Sequence, residues 1–302
     1  MKIGIIKGLY YYEYGDLWLQ FLQKLGHECV TAEIHDSSCF LCTDEACLPV
    51  KIYHKNAMEL LDMGIDCLFS PKIIKCAKDS FTCPKVIGIN EMLAASLKPS
   101  IRMISPEFSG EFKTFYARTG LALGNDTREI KTAIEEMLVL GSARVAFMSL
   151  PKTKKGSRDD FFLVCLLGHK YIVEDSFINM DIKKRLKKLN IRVVTSDLFD
   201  NDFLSSSAEN SFSHAPFWIT GRQAAGLAAV SEAAASQIDG YIYLTAFGCG
   251  PDSFIVPLTK KYIRDMSAKP FMEISLDEHT SAAGLDTRLE AFADMLGDRV
   301  RV

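Results

Sequence analysis

The chain has 302 residues and a formal net charge of −3, with 48% hydrophobic and 24% charged residues. This composition is typical of a globular protein with about two domains, and it provides no basic surface for nucleic acid or anionic membranes. No apolar run reaches the roughly 20 residues that span a bilayer, and the first residues show no signal-peptide pattern. We therefore expect a cytoplasmic protein.

The hydrophobic pattern predicts an α/β fold with two doubly wound parallel-sheet lobes. Residues 1–97 are predicted as the first lobe, 98–157 as a helical connecting segment and 158–302 as the second lobe. The predicted strands are 2–6, 27–31, 67–69, 86–89, 161–167, 191–194, 241–244 and 271–275. The predicted helices are 17–25, 52–63, 110–124, 126–140, 181–189, 224–236, 257–266 and 286–296. Residues 72–81 and 200–221 are predicted as loops, and 9–15 as an aromatic turn before a helix capped by Asp16.

The nine cysteines are the unusual part of the composition. Their number is odd, and in a reducing compartment metal binding or redox chemistry is a better-supported role than disulfide bonding. Cys29, Cys67 and Cys165 lie inside apolar, strand-like runs, so we expect them to pack in the core. The other cysteines lie in connections between predicted elements.

The segment Thr245–Ser253 places one of these cysteines directly after a predicted strand. Gly248 and Gly250 permit a tight turn on both sides of Cys249, and the following proline sets the direction of the exit. In open α/β sheets, ligands bind at the carboxyl ends of strands. We therefore predict that Cys249 is a metal ligand and that the two glycines make room for a bulky cofactor.

Cys47 and Cys83 have a similar setting, because a proline follows each of them within two residues. Three such thiolates that converge on one point can hold a [4Fe–4S] cluster with one iron left open. The remaining thiols are either spare or additional ligands that extend the metal site: Cys39, Cys42 and Cys76.

Two other interpretations of the cysteines stay open. The spacing Cys39-x2-Cys42-x4-Cys47 is compatible with a zinc site, for which His35 or His54 would supply the fourth ligand. A catalytic cysteine is the second interpretation, and it requires a nearby base. The candidate bases are His169 and His279.

Five separated motifs, which together cover nearly the whole chain, resemble the 2-hydroxyacyl-CoA dehydratase superfamily. Within it they are most similar to the activase-related branch, also called CoA protein activase-like. The motifs are Asp44–Lys51, Phe81–Gly88, Gly168–His169 with Tyr171, Phe247–Ser253, and Asp277–Thr280 with Thr287–Phe292.

The resemblance implies two flavodoxin- or Rossmann-like lobes around an iron–sulfur site ligated by Cys47, Cys83 and Cys249. The implied cofactor is a [4Fe–4S] or a double-cubane [8Fe–9S] cluster, which is oxygen-sensitive and belongs to anaerobic metabolism. The implied partners are a separate ATP-dependent activase of the BadF/HgdC type, an acyl-CoA or other small-molecule substrate, and further chains in a homo- or hetero-oligomer. The candidate catalytic residues, which with Asp252 line the approach to the cluster, are His169, Asp277, Glu278 and His279.

The sequence departs from the family pattern at several positions. Lys7 and Lys72 stand where the family has arginine, and Lys170 stands where it has proline, so contacts to an anion or to CoA are in doubt there. The chain also lacks a Walker-type loop and is not itself the ATPase.

Three hypotheses follow. In the first, the chain is a lyase or oxidoreductase component that performs radical dehydration or reduction. In the second, it is a non-catalytic electron-transfer or assembly partner. In the third, it is a metal-free, two-lobed protein that binds a small molecule.

Overall fold

The computed structural model describes residues 1–34, 45–77, 80–97, 101–141, 161–234 and 237–300. The chain divides into two compact units, Met1–Val145 and Ala146–Val302. Each unit contains a parallel four-stranded sheet with helices beside it, which confirms the predicted α/β class with two flavodoxin- or Rossmann-like lobes. In the described part of the chain, no helix is both long enough and apolar enough to cross a membrane.

Unit 1 is built around a parallel sheet with the strand order β2-β1-β3-β6. A second, smaller sheet has the order β5-β4-β7, in which β4 is antiparallel to β5 and parallel to β7. The elements are β1 (Lys2–Ile5), α1 (Tyr11–Lys24), β2 (Glu28–Val30), α2 (Leu48–Asp62), β3 (Cys67–Phe69), β4 (Lys72–Ala77), β5 (Ser80–Phe81), α3 (Pro84–Ile87), α4 (Ile89–Ser96), β6 (Arg102–Ile104), β7 (Glu107–Ser109), α5 (Phe112–Leu123) and α6 (Thr127–Gly141).

Unit 2 is built around a parallel sheet with the strand order β11-β10-β8-β9. Its elements are β8 (Phe162–Gly168), α7 (Lys170–Val173), α8 (Ile182–Lys188), β9 (Ile191–Val194), a short 3-10 helix (Ser196–Leu198), α9 (Asn201–Ser211), α10 (Ile219–Ala233), β10 (Gly240–Ala246), α11 (Gly250–Met266), β11 (Phe271–Leu276) and α12 (Ala282–Val300). Every residue of β10 is buried, as expected for a central parallel strand covered on both faces.

The fourth strand of the first sheet is not the predicted one. Residues 86–89 were expected to form a strand, but they belong to α3 and the start of α4, because Pro84 begins a helix directly after Cys83. The strand that pairs with β3 is Arg102–Ile104, which lies inside the predicted helical segment 98–157. The rest of that segment contains α5 and α6, and residues 142–157 lie outside the described residues.

Three smaller predictions were also wrong. Residues 72–81 were expected to be a loop but contribute β4 and β5. Helix α9 replaces much of the predicted loop 200–221, because Asp200 caps its first turn and Leu204 and Ala208 bury one face. Helix α1 begins at Tyr11 rather than after Asp16, with Tyr14 and Trp18 packed one turn apart.

The cysteines expected in the core behave largely as predicted. Cys67 in β3 and Cys165 in β8 are fully buried. Cys29 lies in β2, at the edge of its sheet, and is half-buried. Burial raises the pKa of Cys165 to about 12 and that of Cys29 to about 11, so both thiols are held in the neutral form.

Candidate functional site

The two main sheets share one strand order, in which the first strand lies between the second and the third. The chain therefore reverses direction across the sheet at one point in each unit, between β1 and β3 and between β8 and β10. Ligands of open α/β sheets bind beyond the carboxyl ends of the strands at such a switch point. In unit 1 the segments that follow these strands start at Ile6 and Ser70, and in unit 2 they start at His169 and Phe247.

Cys47, Cys83 and Cys249 all occupy the same kind of position, the N-cap of a helix. Each has an extended backbone conformation, and a proline lies at the first or second position of each of these helices. Proline is favoured there because the first N–H groups of a helix have no partner within the helix. Those N–H groups can donate hydrogen bonds to an anionic ligand.

A hydrogen bond joins the two cysteine-bearing loops of unit 1. Nζ of Lys85 donates to the backbone carbonyl of Glu45 at 2.7 Å. Glu45 lies two residues before Cys47, and Lys85 lies two residues after Cys83. These two loops are therefore neighbours within unit 1.

The other predicted ligands of unit 1 differ in setting. Cys76 lies in β4 beside Tyr14, and burial raises the pKa of its thiol to about 12 although the hydrogen bond with Tyr14 acts in the opposite direction. His54 is buried in α2, where Nδ1 lies 2.9 Å from the carbonyl oxygen of Val50. Three predicted ligands, Cys39, Cys42 and His35, lie outside the described residues.

In unit 2, Gly168 brings His169 to the end of β8. Its φ angle of +138° is one that side-chain-bearing residues rarely adopt, and a Cβ atom there would lie 2.4 Å from the carbonyl oxygen of Leu244. Only glycine allows this close approach to β10. His169 follows as the N-cap residue of α7 and is 1% exposed.

His169, Cys249 and Asp252 converge beyond the ends of β8 and β10, and one potential ligand atom from each lies within 4.8 Å of the others. Nε2 of His169 lies 2.8 Å from Oδ1 of Asp252 and 3.9 Å from Sγ of Cys249. Two tyrosines complete the surroundings. The hydroxyl of Tyr171 lies 2.6 Å from Nδ1 of His169, and the hydroxyl of Tyr243 donates to Oδ1 of Asp252 at 3.0 Å.

The buried His169–Asp252 pair favours its charged form. Burial alone disfavours the imidazolium, but the Asp252 carboxylate and Cys249 outweigh it and raise the pKa of His169 well above its ordinary value. Burial also disfavours the carboxylate, yet the charge and hydrogen bond of His169 prevail and lower the pKa of Asp252. Thr245 contributes to this lowering of the pKa, although Oδ2 of Asp252 forms no hydrogen bond of normal geometry.

This arrangement does not match a cysteine–histidine–aspartate relay. In a relay, the thiol and the carboxylate face different imidazole nitrogens. Here Cys249 and Asp252 both face Nε2 of His169, and Nδ1 faces Tyr171. The carboxylate therefore competes with the thiol for the same nitrogen, which argues against His169 as the base of a cysteine nucleophile.

The glycines that flank Cys249 have different roles. Gly248 has a φ angle of +76°, in the left-handed region that favours glycine. A Cβ atom at Gly250 would meet no other atom within 4 Å. The backbone next to Cys249 is therefore not crowded on the side where a Gly250 side chain would point.

The predicted catalytic residues at the end of β11 form a turn. Oδ1 of Asp277 accepts hydrogen bonds from the backbone N–H of His279 and the hydroxyl of Thr280, each at 2.9 Å. The hydrogen bond from Thr280 is the main reason that the pKa of Asp277 is lowered. His279 is exposed and Glu278 is half-buried. Among the described residues, the group of potential metal ligands at Cys249 includes none of these three.

Two profiles of known protein families together match nearly all of this chain. The profile of the family described as "CoA enzyme activase uncharacterised domain" matches residues 2–199. The chain belongs to this family. The profile of the 2-hydroxyglutaryl-CoA dehydratase D-component matches residues 176–296. Together they identify the chain as a member of the activase-related branch of the 2-hydroxyacyl-CoA dehydratase superfamily. No curated protein matches the chain.

The two matches divide the site residues of this activase-related chain. Cys47, Cys83 and His169 fall in the activase-type region, whereas Cys249 and Asp252 fall in the dehydratase-type region. The pairing of His169 with Asp252 therefore joins the two regions within unit 2. Membership also places the chain in a dehydratase-type system that includes an activase component.

Sequence reasoning missed the contribution of Tyr243, and it assigned Tyr171 only to a motif. The alternation of Tyr241 and Tyr243 in a fully buried strand was the available signal, because a buried tyrosine hydroxyl usually has a polar partner. This alternation did not indicate which residue would be the partner of the Tyr243 hydroxyl. Asp252 was expected to line the approach to the cluster, and the structure places it as the buried partner of His169.

Proposed function

We propose that this protein is an iron–sulfur protein of the 2-hydroxyacyl-CoA dehydratase type in which Cys47, Cys83 and Cys249 ligate a [4Fe–4S] or double-cubane cluster. The observation that carries the proposal is their shared N-cap position, each with a proline in the first turn of its helix. The residues present fit such a cluster, because the donors are thiols at helix N-termini and a Cβ at Gly250, next to Cys249, would meet no atom within 4 Å.

When bound, the cluster supplies low-potential electrons for radical dehydration or for reduction, with electrons delivered by a separate ATP-dependent activase. The role of the chain's own residues is to hold and surround it. The helix N-termini favour thiolate ligands, and their N–H groups are available to the sulfides. Near the third thiol, Nε2 of His169 lies 2.8 Å from Oδ1 of Asp252 and 3.9 Å from Sγ of Cys249, so a proton on Nε2 is held between the carboxylate and the thiol.

The test is purification without oxygen, followed by iron and sulfide analysis and by EPR and absorption spectra. We expect Cys47→Ser, Cys83→Ser and Cys249→Ser each to lower the iron content substantially. Cys29→Ser is the matched control, because Cys29 is half-buried in an edge strand and at no helix N-terminus. A wild-type protein that stays free of iron after reconstitution, or a Cys249→Ser variant with unchanged cluster content, would refute the proposal.

A second candidate function is a non-catalytic electron-transfer or assembly partner of such a system. Two lysines that replace family arginines are engaged within the chain, since Nζ of Lys72 lies 2.6 Å from Glu91 and Nζ of Lys7 pairs with Glu33. These side chains already have carboxylate partners, which reduces their availability for an anionic substrate. Turnover of acyl-CoA by the isolated protein, given an activase, ATP and a reductant, would exclude this alternative.

A further inference from the structure

We propose that Cys249, His169 and Asp252 also form a binding site for a single divalent transition-metal ion of the zinc type. This inference goes beyond the iron–sulfur proposal, because it adds two ligands, uses unit 2 alone and requires no cluster. It shares Cys249 with that proposal. The Cys249 thiolate is needed as a terminal ligand by both the cluster and the single ion. The ion therefore binds at this site only when the cluster is absent.

The donor atoms have the chemistry and the spacing of such a site. Zinc binds cysteine sulfur at about 2.3 Å and histidine nitrogen at about 2.0 Å, which in a tetrahedral site separates these two atoms by roughly 3.5 Å. The observed separation of Sγ of Cys249 and Nε2 of His169 is 3.9 Å. A carboxylate oxygen of Asp252 lies within 4.8 Å of both.

His169 and Asp252 also have the hydrogen bonds to neighbouring side chains that metal ligands commonly have. A metal-bound imidazole commonly has a hydrogen-bond partner on its other nitrogen, and a ligating carboxylate is hydrogen-bonded in turn. Nδ1 of His169 has this partner in Tyr171, and Oδ1 of Asp252 has it in Tyr243. The atoms available to the ion are Nε2, Sγ and one carboxylate oxygen of Asp252.

Oδ2 of Asp252 is the observation that most directly indicates a missing ligand. Asp252 is only 2% exposed, and its Oδ2 atom forms no hydrogen bond of normal geometry, although Thr245 helps to lower the pKa of this carboxyl. His169 compensates the charge of the carboxylate, but a buried oxygen without a well-formed hydrogen bond still loses the hydration that it had in water. A divalent ion would compensate this loss.

The charges also balance. Binding displaces the proton on Nε2 of His169 and the proton of the Cys249 thiol, leaving a neutral imidazole, one thiolate and one carboxylate. Two negative ligands and a 2+ ion sum to zero, which suits a buried site. A tetrahedral ion with three protein ligands keeps its fourth position for water or another external ligand.

The test uses Co²⁺ as a spectroscopic probe for zinc, added to the metal-free full-length protein. We expect one ion per chain, a sulfur-to-cobalt charge-transfer band and the intense visible bands of a tetrahedral site. Cys249→Ser should abolish the charge-transfer band. His169→Gln and Asp252→Asn should weaken binding at least tenfold. Cys47→Ser and Cys83→Ser are the matched controls and should bind as the wild type does, although both should lose an iron–sulfur cluster.

Loss of the cobalt signal in either control variant, or its persistence in Cys249→Ser, would overturn the inference. Circular dichroism establishes that each variant is folded. X-ray absorption on zinc-loaded wild-type protein gives an answer that requires no variant. One sulfur with nitrogen and oxygen neighbours supports the site, and two or more sulfurs refute it. A protein that binds Co²⁺ as expected but never assembles a cluster would refute only the iron–sulfur proposal.

Discussion

Nε2 of His169 lies 2.8 Å from Oδ1 of Asp252, and each side chain is only 1% exposed. The two residues are separated by 83 positions in the chain, and the contact joins the segment after β8 to the first turn of α11. It therefore holds together the two segments that flank the switch point of unit 2. Removing one partner leaves a buried polar group without compensation, which costs more than losing an exposed pair.

We expect Asp252→Asn to lower the free energy of unfolding by about 3–5 kcal/mol in the metal-free protein. The measurement is urea denaturation followed by circular dichroism. The double variant His169→Gln with Asp252→Asn should lose less than the sum of the two single changes, because no buried charge is left unpaired. Asp265→Asn, which removes an exposed partner of Lys261, is the control and should leave the urea midpoint unchanged. Strict additivity of the two changes would contradict a direct coupling.

Gly168→Ala should destabilise unit 2, because the new Cβ would lie 2.4 Å from the carbonyl oxygen of Leu244 at a φ angle of +138°. We expect a loss of about 1–3 kcal/mol, the usual cost of a strained backbone position. Gly250→Ala is the matched control, since a Cβ there meets no atom within 4 Å, and its effect should stay below about 0.5 kcal/mol. Thermal unfolding of the two metal-free variants measures the stability that each has lost. Equal losses in Gly168→Ala and Gly250→Ala would contradict the prediction.

The close packing of α9 on α10 depends on Gly226. A Cβ at this position would lie 1.9 Å from the carbonyl oxygen of Leu204, a backbone atom that cannot move without shifting α9. We expect Gly226→Ala to cost about 3 kcal/mol or more. Gly297→Ala in α12 should instead stabilise by about 0.5–1 kcal/mol, because it has open space and alanine favours the helix. Chemical denaturation distinguishes the two, and a Gly226→Ala variant as stable as the wild type would disprove the close approach.

The thiols should differ in reactivity in the metal-free protein. Cys67 and Cys165 are fully buried, and burial raises the pKa of both, so alkylation by iodoacetamide should be slow. Cys83 and Cys249 are half-buried at helix N-termini and should be modified at least tenfold faster. Mass spectrometry of peptides after timed labelling gives the rates. Labelling of Cys165 as fast as that of Cys249 would contradict the buried position of β8.

The stability of the turn at Asp277 should decrease as the pH falls. The hydrogen bond from Thr280 lowers the pKa of Asp277, so the turn's stabilisation is present above the pKa of the unfolded chain and is lost as the pH falls through the lower folded value. In Thr280→Ala the pKa of Asp277 should rise towards its ordinary value. An NMR titration of the carboxyl carbon measures it, with Thr287→Ala as the control. An unchanged pKa in Thr280→Ala would show that this hydrogen bond is not the cause.

Much of this architecture is determined by local sequence. The strand 67–69 was predicted with its observed bounds, and 191–194 likewise, because a short apolar run between turn residues identifies a buried strand. Cys47, Cys83 and Cys249 were selected for their neighbouring prolines and glycines, and all three are helix N-caps. The sequence placed them only in connections, and a strand rather than a helix was expected after Cys83, so their cap positions came from the structure.

Only the tertiary structure decided which residues meet. The sequence by itself identified the α/β class, the cysteines in connections beside proline or glycine, and the family likeness. It could not show that Arg102–Ile104, rather than residues 86–89, completes the first sheet, because strand pairing depends on distant partners. Nor could it show that His169 pairs with Asp252 beside Cys249. That contact exists because β8 and β10 lie side by side, with Gly168 allowing their backbones to approach closely.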